Sequence, residues 1–177
     1  TRRLVHNALD GLTPCSVLDV GCGDGYLLGE IQQRHPNIER LAGVDISRVA
    51  VRKAAERVQG HFEVWDITEG PPPVEPVDVA ICSEVLEHVT DDVLALRNIA
   101  AVTRGRIIIT VPAGPMTEDQ KRAGHMRQYT LAKIRDTCDR AGVRIEYLHT
   151  WGFPFYNLYR RAIANKQRGY KIGAYGL

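Results

Sequence analysis

Several features that assign a chain to a specialised class are missing from these 177 residues. The four cysteines form no Cys-x-x-Cys pair, and the six histidines do not have zinc-finger spacing. Without a disulfide or zinc framework, reduced thiols and a cytoplasmic location are expected. No apolar run approaches the roughly 20 residues that a membrane-spanning helix needs, and no signal-peptide core follows the first residues. The sequence therefore predicts a protein without a transmembrane segment.

Acidic residues are missing from the last part of the chain, where none follows Glu146. The basic residues beyond that point are Arg160, Arg161, Lys166, Arg168 and Lys171. The formal net charge of +2 therefore hides a basic tail on a mildly acidic body. A sequence pI of about 8.4 is low for a nucleic-acid-binding domain, so nucleic acid is disfavoured as a partner.

Short apolar runs alternate with helical patterns along most of the chain, which predicts one α/β domain over residues 1–177. The predicted strands are Ser16–Val20, Leu41–Asp45, His61–Trp65, Val77–Cys82, Arg106–Val111 and Arg144–Leu148. Helices are predicted over Tyr26–Arg34, after Ser47, after Thr90 or Asp91, and from Thr130 to a left-handed end at Gly142. This order predicts a doubly wound, mostly parallel sheet with helices on both faces.

A glycine cluster follows the first predicted strand, in the sequence Val-Leu-Asp-Val-Gly-Cys-Gly-Asp-Gly-Tyr-Leu-Leu over residues 17–28. Gly21, Gly23 and Gly25 allow a sharp turn against which a nucleotide-like ligand can lie. Tyr26 stands where the dinucleotide fingerprint has its third glycine, and Asp19 precedes the cluster. A pyrophosphate is therefore not the first choice of ligand.

Two more acids follow the next two predicted strands. Asp45 ends the second, where a carboxylate can accept both hydroxyls of a ribose. Asp66 follows the third and can accept from an adenine amino group, with Trp65 or Ile67 against the ring. Each acid also has a structural interpretation, as a helix cap, a solvated strand end or a turn. Their occurrence after three consecutive strands favours an adenosine ligand.

Motifs in the same order between Val17 and Pro112 resemble those of class I S-adenosylmethionine (SAM)-dependent methyltransferases. The segments 124–130 and 151–154 further resemble the small "type 11/23" branch, which includes the ubiquinone-pathway O-methyltransferases. The resemblance implies a Rossmann-like fold, SAM as cofactor with S-adenosylhomocysteine as product, and methyl transfer to a small-molecule acceptor, most plausibly at oxygen. The cofactor-binding residues that it implies are Asp19, Gly21, Cys22, Gly23, Asp24, Gly25, Tyr26, Asp45, Ile46, Ser47, Trp65, Asp66, Ile67 and Ser83.

In this family the residues after the fourth strand line the reacting end of the cofactor, which makes Glu84 and His88 the catalytic candidates. We expect His88 to be the general base for a hydroxyl acceptor, since imidazoles exchange protons near neutral pH. A histidine that only packs and bonds a carbonyl is the alternative. Glu84, Glu87 and His88 would share one face of a helix and, with His125, resemble a divalent-metal site. Metal-free relatives carry the same triplet, so the site is expected to hold no metal.

The acceptor is expected to lie against Glu87, His125, Arg127 and Tyr129. Residues 1–112 would then form the cofactor-binding core, and 113–177 an acceptor-side loop, helix, strand and basic tail. Residues 155–166 have the spacing of an amphipathic helix, which could cover the acceptor site, contact a partner subunit or lie on an anionic membrane.

Three other functions stay open on the sequence alone. The chain could be a metal-assisted RNA 2′-O-methyltransferase, which would bind nucleic acid with a steep salt dependence. It could be an NAD-dependent oxidoreductase, since Asp45 suits any adenosine ligand. It could also be a SAM-binding scaffold without catalytic activity.

Overall fold

The structure is a computed structural model, and it describes residues 1–150. In chain order the elements are α1 Arg2–Asp10, β1 Ser16–Val20, α2 Tyr26–Arg34, β2 Arg40–Asp45, α3 Arg48–Arg57, β3 His61–Val64, β4 Val77–Ser83, a 3-10 turn Leu86–His88, α4 Asp92–Ala101, β5 Thr103–Thr110, α5 Glu118–Arg122 and α6 Leu131–Ala141.

The five strands form one parallel sheet in the order β3-β2-β1-β4-β5. The chain moves outward in one direction from β1 to β3 and in the other direction from β4 to β5. Because crossovers between parallel strands are right-handed, these two halves place their helices on opposite faces. The order reverses between β1 and β4, so a crevice opens there at the carboxyl ends of the strands. The predicted doubly wound α/β fold is confirmed.

The hydrophobic core lies against the sheet, because successive side chains of each strand point to opposite faces of the sheet. All five residues of β1 are buried, and β2 and β4 are buried over most of their length. Val17, Leu41 and Ile81 pack with α1 and α2 side chains such as Val5 and Leu28 in one apolar cluster. Alternate strand residues face the other side of the sheet. Residues Thr1–Ile145 form one compact unit around this sheet.

Several helix ends are fixed by the residues that the sequence indicated. The side chains of Ser47, Asp91 and Thr130 accept hydrogen bonds from the first turns of α3, α4 and α6. Helix α6 ends at Gly142 in the left-handed conformation, with φ of 77°. These ends position the loops that carry the site.

The predicted strand over 144–148 is wrong, since residues 143–150 form no helix or strand. Its alternating pattern is not sufficient, because a strand gains its backbone hydrogen bonds only from a paired neighbour. Within the described part of the chain, β5 is the outermost strand on that side of the sheet. The predicted amphipathic helix over 155–166 and the segment 151–154 lie outside the described residues. No helix among residues 1–150 is long and apolar enough to cross a membrane.

Candidate functional site

The glycine loop joins β1 to α2 at the crevice. The backbone N–H groups of Gly21 and Cys22 both donate to the carbonyl of Val44, at 2.8 and 3.0 Å, which fastens the loop to β2. Gly21 and Gly23 have φ of 73° and 52°, a left-handed conformation that costs other residues energy. The loop therefore holds its backbone against the strand ends.

The two glycines have different surroundings. A methyl group of Val85, from the chain after β4, occupies the place where a Cβ of Gly21 would stand. No described atom lies within 4 Å of the corresponding position at Gly23. Gly21 thus permits close packing inside the protein, whereas Gly23 leaves space on the ligand side of the loop.

Asp45 is held at the end of β2 by two backbone groups. One carboxylate oxygen accepts from the Gly23 N–H at 2.9 Å, and the other accepts from the Ser47 N–H at 2.8 Å. Each oxygen retains a lone pair for a further donor, such as a ribose hydroxyl. The neighbouring Ile46 is 70% exposed, which provides an apolar surface beside this carboxylate.

Asp19 is the buried acid of the crevice. It is 3% exposed, and burial together with the nearby Asp45 carboxylate raises its pKa to about 8. A cation placed beside this carboxyl group would favour its ionised form and lower its pKa again. The cationic amino acid end of a sulfonium cofactor would be such a partner.

Asp66 organises the turn after β3. One of its oxygens accepts from both the backbone N–H and the hydroxyl of Thr68, and these bonds lower the pKa of Asp66. Trp65 is buried, and its backbone N–H donates to the carbonyl of Asp45. The Ile67 carbonyl accepts from the side-chain amide of Asn98. The structural interpretation of Asp66 is therefore satisfied, and its second oxygen retains capacity for an adenine amino group.

The side chains of three predicted cofactor residues contact other parts of the protein. Cys22 is buried in the apolar cluster, and burial raises the pKa of its thiol to about 12. The Asp24 carboxylate lies 3.5 Å from the Lys53 ammonium on α3. The Tyr26 ring lies under the Arg57 guanidinium at 3.7 Å. These contacts involve other parts of the protein, and a role of the three residues in cofactor binding stays a prediction.

The chain leaves β4 through a strained residue. Glu84 has φ of 58°, which is uncommon for a residue with a side chain. The Ser83 hydroxyl lies 2.8 Å from that of Thr110, which donates to Glu84 at 3.3 Å. The predicted helix through Glu84, Glu87 and His88 is wrong, because this conformation precedes a single 3-10 turn. Glu84 therefore lies outside the cluster that the other two residues form.

Glu87, His88 and His125 form that cluster, with one ligand atom from each within 4.8 Å of the others. The two imidazole rings are edge to face, and their centroids are 4.7 Å apart. Nδ1 of His88 lies 3.2 Å from the Gly124 carbonyl oxygen. The structure thus brings together residues from the 3-10 turn and from the loop after α5.

The cluster contains buried polar atoms without partners. Glu87 is fully buried, and neither of its carboxylate oxygens nor Nδ1 of His125 has a hydrogen-bond partner among the described residues. Burial, aided by the Glu84 carboxylate, raises the pKa of Glu87 to about 7. Burial and the neighbouring His88 lower the pKa of His125. Such orphaned groups point to a ligand or a proton at this place.

Arg127 and Tyr129 have a different role from the predicted one. Tyr129 is 2% exposed, and its hydroxyl donates to Asp92 at 2.8 Å. Arg127 lies 3.3 Å from the same Asp92 oxygen and donates to the carbonyl of Thr90 at 2.7 Å. The assignment of both residues to acceptor contact is corrected, because their polar groups are used within the protein.

A sequence model described as a methyltransferase domain matches residues 17–105, which is half of the chain. The chain belongs to the class I SAM-dependent methyltransferases. The family uses SAM as cofactor, so the dinucleotide alternative is set aside. That the strand-end acids bind SAM stays a prediction. This membership explains the absence of a third dinucleotide-type glycine at Tyr26.

This methyltransferase domain is similar to proteins of longer length. A 37.1 kDa uncharacterised protein in transposon Tn4556 of Streptomyces fradiae is 32% identical over 149 residues, covering 80% of this chain and 43% of that protein. A ubiquinone biosynthesis O-methyltransferase of Coxiella burnetii is 33% identical over 93 residues, covering 50% of this chain and 38% of that enzyme. The chain thus spans about two fifths of the length of these curated relatives.

The YcgJ protein from Bacillus subtilis has a solved structure that resembles this methyltransferase domain, with a TM-score of 0.69. The two chains are 20% identical, and the match covers 91% of this chain and 76% of that one. This likeness shows the shared fold.

The crevice fits the family's cofactor in two observed respects. The left-handed Gly23 leaves open space where any other residue would place a Cβ. The buried Asp19 lacks a cationic partner among the described ion pairs, and burial beside the Asp45 carboxylate raises its pKa. Asp92 is the residue that the sequence interpretation missed, since only the fold brings it to Arg127 and Tyr129.

Proposed function

We propose that this domain transfers the methyl group of SAM to an oxygen atom of a small-molecule acceptor. The contact between Val85 and Gly21 is the observation that carries this proposal. It sets Val85 against the glycine loop. His88 is exposed and follows Val85 by three residues, which supports a position beside the proposed cofactor site. An imidazole next to an activated methyl donor suits transfer to a group that must lose a proton.

Within this proposal, the strand-end acids hold the cofactor. Asp45 would accept from the ribose hydroxyls, Asp66 from the adenine amino group, and Asp19 would face the cationic methionine end. SAM, when bound, supplies a methyl group activated by its sulfonium. The protein then has to orient the acceptor and exclude water, and such positioning provides several kcal/mol of the rate enhancement.

His88 is the proposed general base. Its Nδ1 lies 3.2 Å from a carbonyl oxygen, which can only accept a hydrogen bond, so Nδ1 carries the proton. The neutral ring then has its lone pair on Nε2, where it can take a proton from an acceptor hydroxyl. This carbonyl contact therefore supports the tautomer that the proposed role of His88 requires.

Metal-assisted transfer is a second candidate, supported by the cluster of Glu87, His88 and His125. Its mixed oxygen and nitrogen donors suit a divalent ion, and the unpartnered Glu87 oxygens give that ion a place. An ion held there would lower the pKa of a hydroxyl bound to it. Methylation of an RNA 2′-hydroxyl belongs to this candidate.

Calorimetry with SAM, S-adenosylhomocysteine and NAD tests cofactor choice, and a screen with labelled methyl groups against metabolite pools tests the acceptor. We expect binding of the first two ligands and no binding of NAD. If labelled product still forms in a chelator, His88 remains the proposed base. If product formation is lost in the chelator and restored by Mn²⁺, metal-assisted transfer is favoured. The absence of SAM binding would refute the proposal.

The thiols form no disulfide in the described residues, which supports a cytoplasmic location.

A further inference from the structure

The loop after α5 is fastened to α4 by a buried group of side chains. We propose that Asp92, Arg127 and Tyr129, here called the Asp92 clamp, form a positioning unit that holds His125 against His88. The inference rests on the proposed function, because it gives this pair of histidines its purpose. None of the three residues is placed in contact with substrate.

The bonds within the Asp92 clamp converge on one oxygen. The Tyr129 hydroxyl donates to Oδ2 of Asp92 at 2.8 Å, and Nη1 of Arg127 lies 3.3 Å from the same atom. The side chains of Asp92 and Arg127 are 14% and 15% exposed, so solvent screens this ion pair only weakly. Such charge-assisted bonds are stronger than neutral ones and resist rearrangement.

The Asp92 clamp also contacts the backbone at the first residue of the 3-10 turn and two residues after its end. Arg127 donates to the carbonyls of Leu86 and Thr90, at 3.5 and 2.7 Å. The Tyr129 hydroxyl, whose proton goes to Asp92, lies 3.3 Å from the Leu86 oxygen. The Met126 N–H donates to the carbonyl of Glu87 at 2.8 Å. The turn that carries Glu87 and His88 is therefore tied directly to the loop that carries His125.

Few other interactions hold the His125 ring in position. Its buried Nδ1 has no partner among the described residues, and its backbone N–H donates to Gln120 at 3.0 Å. The following residues, from Met126 to Tyr129, supply the strong bonds. Loss of the Asp92 clamp would therefore release His125 while α4 and α6 stay packed through their apolar side chains.

The experiment measures the histidine pair directly by NMR. In the wild type, the ring protons of His88 and His125 should give a nuclear Overhauser cross-peak, since the centroids are 4.7 Å apart. In Tyr129→Phe and Arg127→Met we expect this cross-peak to vanish and the Met126 amide to exchange about tenfold faster, the effect of losing one such bond. Exchange at Val20 in β1 reports the rest of the fold and should stay unchanged.

Thr137→Val is the matched control. Thr137 donates to the same Asp92 oxygen at 3.3 Å, but from α6 rather than from the loop. Its loss should leave both the cross-peak and Met126 exchange as in the wild type. The inference is overturned if the clamp variants keep the cross-peak, or if Thr137→Val abolishes it too. SAM binding by the wild type is read separately by calorimetry, so failure of the proposed function remains distinguishable.

Discussion

The proposed cofactor side of the crevice and its proposed acceptor side are assembled over different distances along the chain. Asp45 on the cofactor side bonds to Ser47 and Gly23, which are 2 and 22 residues away. On the acceptor side, His88 meets the Gly124 carbonyl over 36 residues, and Tyr129 meets Leu86 over 43. One side is thus a property of neighbouring βα units, and the other requires the whole fold.

The two sides also differ in how their acids are satisfied. The Asp45 and Asp66 carboxylates accept hydrogen bonds from adjacent backbone N–H groups. Glu87 lies in a buried cluster, where no described residue bonds to its oxygens. Apart from the buried Asp19, the acids of the proposed cofactor side are thus held by the protein itself, whereas the proposed reaction site contains an acid without a partner. This difference is consistent with a scaffold that keeps one ligand and varies the other.

The largest effect is expected on the acceptor side. His88→Ala should lower methyl transfer by about 100-fold or more, the usual contribution of a general base. SAM affinity by calorimetry should stay within about twofold, since the strand-end acids are untouched. His61→Ala removes an exposed histidine on β3 and serves as the control. A near wild-type transfer rate in His88→Ala would remove the proposed base.

A substitution on the proposed cofactor side should instead lower the affinity for SAM. Asp45→Asn removes the charged acceptor of two ribose hydroxyls, so SAM affinity should fall by about 100-fold. Calorimetry measures this loss, and thermal unfolding without ligand separates it from loss of fold. Asp24→Asn changes an acid of the same loop whose side chain faces Lys53, and its affinity should match the wild type. Equal losses in both variants would contradict the assignment of the ribose to Asp45.

The pKa of Glu87 predicts a smaller effect on stability. Burial raises this pKa from 4.5 to about 7, so between these values the unfolded chain loses the proton first. The free energy of unfolding should therefore fall as pH rises, by about 2 kcal/mol between pH 5 and pH 8. Glu87→Gln cannot ionise and should gain this amount relative to the wild type over the same range. Denaturant titrations in a chelator measure the free energy of unfolding of both proteins at each pH. A difference between them that stays constant with pH would refute the raised pKa of the buried Glu87 carboxyl.

Much of the cofactor side could be predicted from the sequence because its signals are local. Left-handed glycines, a strand-end acid and a helix cap such as Ser47 each leave a residue type at a fixed spacing. The sequence interpretation nevertheless assigned Tyr26 to the cofactor, although its ring packs under Arg57. Spacing identifies the loop but not the direction of each side chain.

The acceptor side could be predicted only in part. The approach of His125 to His88 followed from a family resemblance, whereas the helical spacing of Glu84 failed at its left-handed φ. Arg127 looked like an anion-binding residue because nothing local reveals its partner Asp92. A contact between residues that are dozens of positions apart depends on the order of the strands in the sheet. The spacing of residues along the sequence does not reveal that order.

The smallest effect is expected from a comparison of two glycines that are both in the left-handed region. Gly23 and Gly142 have φ of 52° and 77°, with no described atom within 4 Å of a Cβ at either place. Alanine at each should therefore cost a similar 1 to 2 kcal/mol of stability, roughly the strain of the left-handed region. Only Gly23→Ala places its methyl on the ligand side, so only that variant should bind SAM more weakly, by about tenfold. Calorimetry beside thermal unfolding separates the two effects, and equal affinities in both variants would show that the ligand does not approach the loop at Gly23.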